Sequence, residues 1–353
     1  MFACLSAAVF CQTAAPVPEI PYESVPNFIR LPPDVYLGEV AGIAVDSKKH
    51  IFVFSRGGTT GPAYGAAAAQ LLEFAPDGRF LREIGKNLYA WSYAHAVRTD
   101  KDDNIWAVDK GSDMIIKFNP EGRVAMVFGR KKEASDDNAV PWTHVTPPRP
   151  AVDGQFRQPT DVAWNARGDI FISDGYINSR VAKYDRNGDW VKQWGNHGTQ
   201  PGEFDTPHSI AADNNGNIYV ADRGNRRIQV FDSDGVFKRE ITIDVPAPPD
   251  SRPWMGNPPT ARSGGAMQSG APWAICITPG PTQYLYSADG YPGRIYKLSL
   301  DGKLLGMLGK TGRQPKQFGW IHELACPAEN ELYAAELLNW RAQKLILHPA
   351  AGR

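Results

Sequence analysis

The sequence predicts an all-β chain folded as a six-bladed β-propeller. Three observations predict it. A four-strand unit recurs six times, Asn-Gly and Asp-Gly turns punctuate it, and helical periodicity is largely absent from a chain with 34 Gly and 29 Pro. Repetition carries the most weight, because a repeated supersecondary unit sets the whole architecture. Gln158-Pro-Thr-Asp-Val-Ala, Gly168-Asp-Ile-Phe-Ile-Ser-Asp174 and Asn178-Ser-Arg-Val-Ala-Lys-Tyr184 form one copy. Thr206-Pro-His-Ser-Ile-Ala, Gly216-Asn-Ile-Tyr-Val-Ala-Asp222 and Asn225-Arg-Arg-Ile-Gln-Val-Phe231 form the next, with Asp174 and Asp222 48 residues apart.

The first strand of the unit is predicted at Ala41–Val45, His95–Arg98, Thr160–Trp164, His208–Ala212, Trp273–Ile277 and His322–Cys326. The second falls at Ile51–Ser55, Ile105–Asp109, Ile170–Asp174, Ile218–Asp222, Tyr284–Asp289 and Glu331–Glu336. The third falls at Leu71–Phe74, Ile115–Phe118, Val181–Tyr184, Ile228–Phe231, Ile295–Leu298 and Gln343–Leu347. Turns such as Pro76-Asp-Gly, Arg186-Asn-Gly and Ser233-Asp-Gly lead into a fourth strand, since Asn-Gly and Asp-Gly between apolar runs form tight hairpins. Six such units make a propeller. The sixth runs out after its third strand, so the strand-like segment Val25–Leu31 is expected to supply the missing outer strand and close the ring, hiding the sheet edges. Residues 16–353 then form one propeller domain.

Composition narrows the partners. Lys+Arg and Asp+Glu are both 38, for a formal net charge of zero, which argues against nucleic acid. No apolar run approaches the ~18 residues of a membrane span. The four cysteines, Cys4, Cys11, Cys276 and Cys326, form no C-x-x-C pair, so a zinc–thiolate site is not expected. Residues 1–15 read as the apolar part of a secretory signal ending at Thr13-Ala14-Ala15, although basic residues before it are lacking. An exported protein, periplasmic or secreted, is the expectation. A disordered leader is the alternative.

Of the seven histidines, His50, His144, His197 and His348 fall in turns or loops. The other three start an innermost strand: Ala-His95-Ala-Val, Pro-His208-Ser-Ile and Ile-His322-Glu-Leu. They are 113 and 114 residues apart, two units in each case, and Ala41, Thr160 and Trp273 hold the position in the intervening units. Innermost strands line a propeller's central channel, so alternate blades of six place three side chains about 120° apart around the axis. Three converging imidazoles with an open fourth position suit a catalytic zinc, with iron as an alternative.

Other polar residues fall near the same channel mouth. Arg56 follows the second strand of unit one and Arg223 that of unit four, while Tyr176 sits in Asp174-Gly-Tyr. Two guanidiniums beside a metal suit a small-molecule or peptide substrate bearing a carboxylate. A tyrosine among such cations can act as a general base. Lys110 takes the arginine position in unit two, and Tyr291 repeats Asp-Gly-Tyr in unit five. The alternative for each is a surface salt-bridge residue.

The unit, with Asp ending its second strand and Asn-x-Arg opening its third, resembles the NHL repeat. The Arg of that motif recurs at Arg180, Arg227, Arg294 and Arg341, which argues for a structural role between blades. More specifically, Gly85-Lys-Asn-Leu-Tyr, Ser173-Asp-Gly-Tyr-Ile-Asn-Ser-Arg180, Gln193-Trp-Gly195, Pro201-Gly-Glu-Phe204, Pro207-His-Ser-Ile210 and Val220-Ala-Asp-Arg-Gly-Asn-Arg-Arg-Ile-Gln229 resemble the peptidyl-α-hydroxyglycine α-amidating lyases. The resemblance covers about residues 38 to 347 and is strongest from Gln158 to Phe231. It implies zinc on His95, His208 and His322, Tyr176 as base, and Arg56 and Arg223 beside the substrate. The implied reaction splits an N-acyl-α-hydroxyglycine into a primary amide and glyoxylate. The propeller fills nearly all of this chain, so the expectation is either a separate monooxygenase that supplies the hydroxylated substrate or a different substrate.

Departures from the family's pattern are specific. Ile177 and Arg157 stand where the family carries a disulfide. Trp320 replaces a methionine two residues before the third histidine, which should reshape the pocket. Glu323 replaces an aspartate that helps to hold a structural calcium in the family, so calcium is implied only through a changed ligand. The Pro- and Gly-rich segment Pro246–Ala271 has no clear counterpart and is a candidate lid. Competing functions are another propeller metalloenzyme, a lactonase or streptogramin-type lyase, and a non-catalytic NHL binding scaffold.

Overall fold

The computed structural model describes residues 17–57, 69–132, 150–260, 262 and 264–348. The expected leader with Cys4 and Cys11, and also His144, lie outside the described residues. The described strands form six four-stranded antiparallel sheets, the blades of a propeller. β1 (Tyr22–Ser24) precedes blade one, which holds β2 (Val40–Val45), β3 (Ile51–Arg56), β4 (Ala69–Phe74) and β5 (Phe80–Ile84). Blade two holds β6 (Ala94–Thr99), β7 (Ile105–Asp109), β8 (Met114–Phe118) and β9 (Val124–Gly129). Blade three holds β10 (Asp161–Trp164), β11 (Ile170–Asp174), β12 (Arg180–Tyr184) and β13 (Trp190–Trp194). Blade four holds β14 (Pro207–Ala212), β15 (Ile218–Asp222), β16 (Arg227–Phe231) and β17 (Phe237–Ile241). Blade five holds β18 (Ala274–Ile277), β19 (Tyr284–Ala288), β20 (Ile295–Ser299) and β21 (Leu304–Leu308), and blade six β22 (Ile321–Ala328), β23 (Glu331–Glu336) and β24 (Arg341–Leu347).

The ring closes where β1 pairs with β24, Tyr22 opposite Leu347 and Ser24 opposite Leu345. The closing strand therefore precedes the expected segment Val25–Leu31. Val25 still donates its N–H to Lys344, but Pro26 has no N–H to continue the ladder and Asn27 turns the chain at φ 50°. Cys276 and Cys326 are joined as a disulfide between blades five and six, a pairing the sequence reading did not anticipate.

Apolar clusters fill the wedges between neighbouring blades. Phe54, Trp91 and Phe118 meet between blades one and two, and Tyr286, Leu324 and Leu345 between blades five and six. Middle strands are thus covered on both faces, which is why β11 and β12 are buried throughout while outer β13 is largely exposed. Among the described residues, no helix is long and apolar enough to cross a membrane.

The repeated acid and Arg pin the loops that lead into the inner strands of blades three, four and six. Asp174 accepts the Arg157 N–H and the Arg180 Nε–H, each at 2.9 Å, while Arg180 Nη2 donates to the carbonyls of Val152 and Gln155. Asp222 with Arg227 and Glu336 with Arg341 repeat the device on the loops at Asp205 and Gly319. Both Asp174 and Arg180 side chains are fully buried. Removing one partner of such a pair strands the other charge, so Arg180→Ala is expected to lower unfolding stability by about 3–5 kcal/mol, read from the urea midpoint. An unchanged midpoint would contradict the structural role.

Candidate metal centre

The inner strands deliver the histidines through a local irregularity. The pairing register shifts around Ala41, His95, His208 and His322, so each is the extra residue of a β-bulge. A bulge bends the strand and re-aims its side chain, and here it turns three imidazoles toward the axis. Their ring centroids lie 4.5–4.8 Å apart, and their potential ligand atoms all fall within 4.8 Å of one another.

Each imidazole is oriented by the next blade. His95 Nδ1 lies 2.6 Å from the Thr160 carbonyl, His208 Nδ1 2.6 Å from that of Trp273, and His322 Nδ1 2.8 Å from that of Ala41. Only a protonated Nδ1 can donate to a carbonyl, so the Nε2 lone pairs are left free to face the axis. This is how metal-binding histidines are held in one tautomer. Ala41, Thr160 and Trp273 are the residues at the same repeat position in the intervening blades. Burial first, then nearby cations and, for His95 and His208, neighbouring imidazoles push all three rings well below the usual histidine range, which favours their neutral forms. Three neutral, pre-oriented nitrogens fit a divalent zinc or iron.

Tyr176 enters from blade three. Gly175 permits this, because a Cβ there would lie 1.9 Å from the Pro207 carbonyl oxygen. The Tyr176 hydroxyl is 3.3 Å from His95 Nε2 and 3.2 Å from His208 Nε2. Lys110 Nζ lies 3.6 Å from the Tyr176 ring centroid and the Arg223 guanidinium carbon 5.5 Å. Burial pushes the Tyr176 hydroxyl up, but Arg223, Lys110 and Arg56 together outweigh it and bring it below its ordinary value. Arg56 is braced by Glu39 and the Ala94 carbonyl and stacks 3.8 Å over Tyr93. Arg223 lies 4.4 Å over Trp273, and its Nε is buried without a hydrogen-bond partner among the described residues.

Trp320 meets Trp273 at 5.4 Å, so it shares the aromatic wall beside Arg223. Tyr291 is buried in blade five and makes no ring contact with the histidines. Glu323 is held inside the protein: Oε2 accepts the N–H groups of Ile43 and Val97, and Oε1 lies 3.0 Å from Arg98 Nε. The segment Pro246–Ala271 contacts this face, with the Ala266 carbonyl accepting from Trp273 Nε1 and Trp254 Nε1 donating to Asn339. Tyr93 and Trp273 were not picked out as pocket residues. Tyr93 stands two residues before His95 as Trp320 does before His322, a signal that was available in the repeat.

Residues 204–231 match the NHL repeat model. The rat peptidylglycine alpha-amidating monooxygenase is 32% identical over 235 residues, covering 59% of this chain and 22% of its own length. A peptidyl-alpha-hydroxyglycine alpha-amidating lyase of Drosophila melanogaster is 26% identical over 345 residues, 89% of this chain and 58% of that one. The chain is thus similar to amidating lyases over most of its length and carries an NHL repeat. It spans about a fifth of the length of the rat relative. A solved streptogramin B lyase, at 14% identity, a TM-score of 0.51 and coverage of 93% of this chain and 98% of that one, shares the propeller fold.

Proposed function

We propose that this amidating-lyase relative cleaves an N-acyl-α-hydroxyglycine to a primary amide and glyoxylate. The observation that carries the reading is the Tyr176 hydroxyl, set against two histidines of a three-histidine cluster and flanked by three cations. His95, His208 and His322 would hold the metal, which would supply Lewis acidity at the substrate hydroxyl. Tyr176, as phenolate, accepts the hydroxyl proton. The oxygen lone pair then forms the glyoxylate carbonyl, the C–N bond breaks, and its electron pair stays on the amide nitrogen. That nitrogen takes a proton, which Tyr176 is placed to return. Arg223, with its unpaired Nε, and Arg56 hold the substrate carboxylate and steady developing charge. Trp273 and Trp320 offer an aromatic wall to the acyl group.

The leader-like start and the Cys276–Cys326 disulfide support an exported setting, where disulfides persist. A monooxygenase activity would supply the hydroxylated substrate. The zinc- or iron-loaded protein is expected to release glyoxylate and benzamide in equal amounts from α-hydroxyhippurate. No product from a protein with a full complement of metal would overturn the reading.

A further inference from the structure

Next to the three histidines along the inner strands lies a second polar layer that the lyase reading does not use. Asp161, Ser209 and Glu323 directly follow the axial residues Thr160, His208 and His322, and Arg98 lies three residues beyond His95. The Arg98 guanidinium sits among six oxygen atoms from four other blades. Nε donates to Asp161 Oδ1 at 2.9 Å and lies 3.0 Å from Glu323 Oε1. Nη1 donates to the Leu324 carbonyl at 2.9 Å. Nη2 reaches Asp161 Oδ2 at 2.6 Å, Ser209 Oγ at 3.2 Å and the Ile275 carbonyl at 3.3 Å.

That donor set has the composition of a calcium site: carboxylates, backbone carbonyls and a neutral oxygen, six in all. A guanidinium occupies it. The carboxylates are further committed, since Asp161 also accepts from Val162 N, Ser209 Oγ and Ile210 N, and Glu323 Oε2 accepts from Ile43 N and Val97 N. Gly42 fits Glu323 closely, because a Cβ there would lie 2.8 Å from Glu323 Oε2 and 2.7 Å from Val97 N. A divalent ion would have to displace these donors and sit against a permanent positive charge.

We infer that the Arg98 guanidinium is the resident cation of this layer, so that the blades are tied at the axis without the structural calcium that the family resemblance implies. Arg98 reaches blades three to six directly, and Glu323 extends the network to blade one through Ile43. The inference is independent of the reaction assigned to the histidine site.

Elemental analysis of the purified full chain and thermal unfolding with zinc held constant test it together. Calcium is expected far below one per chain, and Tm is expected not to move on adding calcium. A specific site filled at about 100 times its Kd would raise Tm by roughly 3–4 °C in a chain of this size. Arg98→Ala, which empties the oxygen cage, is expected to lower Tm and to acquire a calcium-dependent rise, while Arg98→Lys stays calcium-independent. Stoichiometric calcium in the unaltered protein, a calcium-dependent Tm there, or an Arg98→Ala Tm equal to it would overturn the inference. The first two measurements decide the matter even if Arg98→Ala does not fold.

Discussion

His208→Ala is expected to release the metal and to reduce glyoxylate formation by at least about 10³-fold, the scale of losing a metal that polarises the reacting oxygen. Two imidazoles remain, and a three-nitrogen site with one ligand missing holds its ion far less tightly. His208 also carries the Nδ1 bond to Trp273 and faces Tyr176, so its removal loosens two walls of the pocket at once. Metal content by elemental analysis and activity should fall together, while the circular dichroism spectrum of the propeller persists. A variant that keeps one metal per chain and full activity would refute the three-histidine centre.

Tyr176→Phe separates proton transfer from metal binding. The expected loss in kcat is about 10²–10⁴-fold, the usual contribution of a positioned general base, with metal content unchanged. The unaltered protein should show an acidic limb, because the phenolate is the active form and appears as pH rises through the Tyr176 pKa. Burial raises that pKa, and Arg223, Lys110 and Arg56 pull it below the ordinary tyrosine value. Lys110→Gln removes the cation 3.6 Å from the ring centroid, so the limb should shift to higher pH. A limb that stays in place would remove Lys110 from the electrostatic account, and full activity in Tyr176→Phe would remove the tyrosine from the chemistry.

Much of this site was legible in the chain because a propeller converts sequence period into angle. Equal spacing of His95, His208 and His322 by two units is enough to place them on alternate blades. The same logic separated Arg180, Arg227 and Arg341, which recur and bind loops, from Arg56 and Arg223. Tyr291 copies the motif of Tyr176 and is buried, but among the described residues its ring makes no contact with the three histidines. The closing strand was misplaced by a few residues, because β propensity in Val25–Leu31 was read without the cost of Pro26 in a ladder.

The sequence by itself determined the architecture and the axial histidine position, since these depend on period and turn chemistry. Only the tertiary structure decided which neighbours act on them. The bulges that aim the imidazoles form within each blade as its strands pair, and the carbonyls of Thr160, Trp273 and Ala41 that set their tautomer come from adjacent blades. The stacking of Arg56 on Tyr93, the Cys276–Cys326 disulfide and the Arg98 network arise in the same way. Residues up to 281 positions apart in the chain, such as Ala41 and His322, meet at the axis. No local pattern encodes which of them will face a given atom, because that contact exists only once the ring has closed.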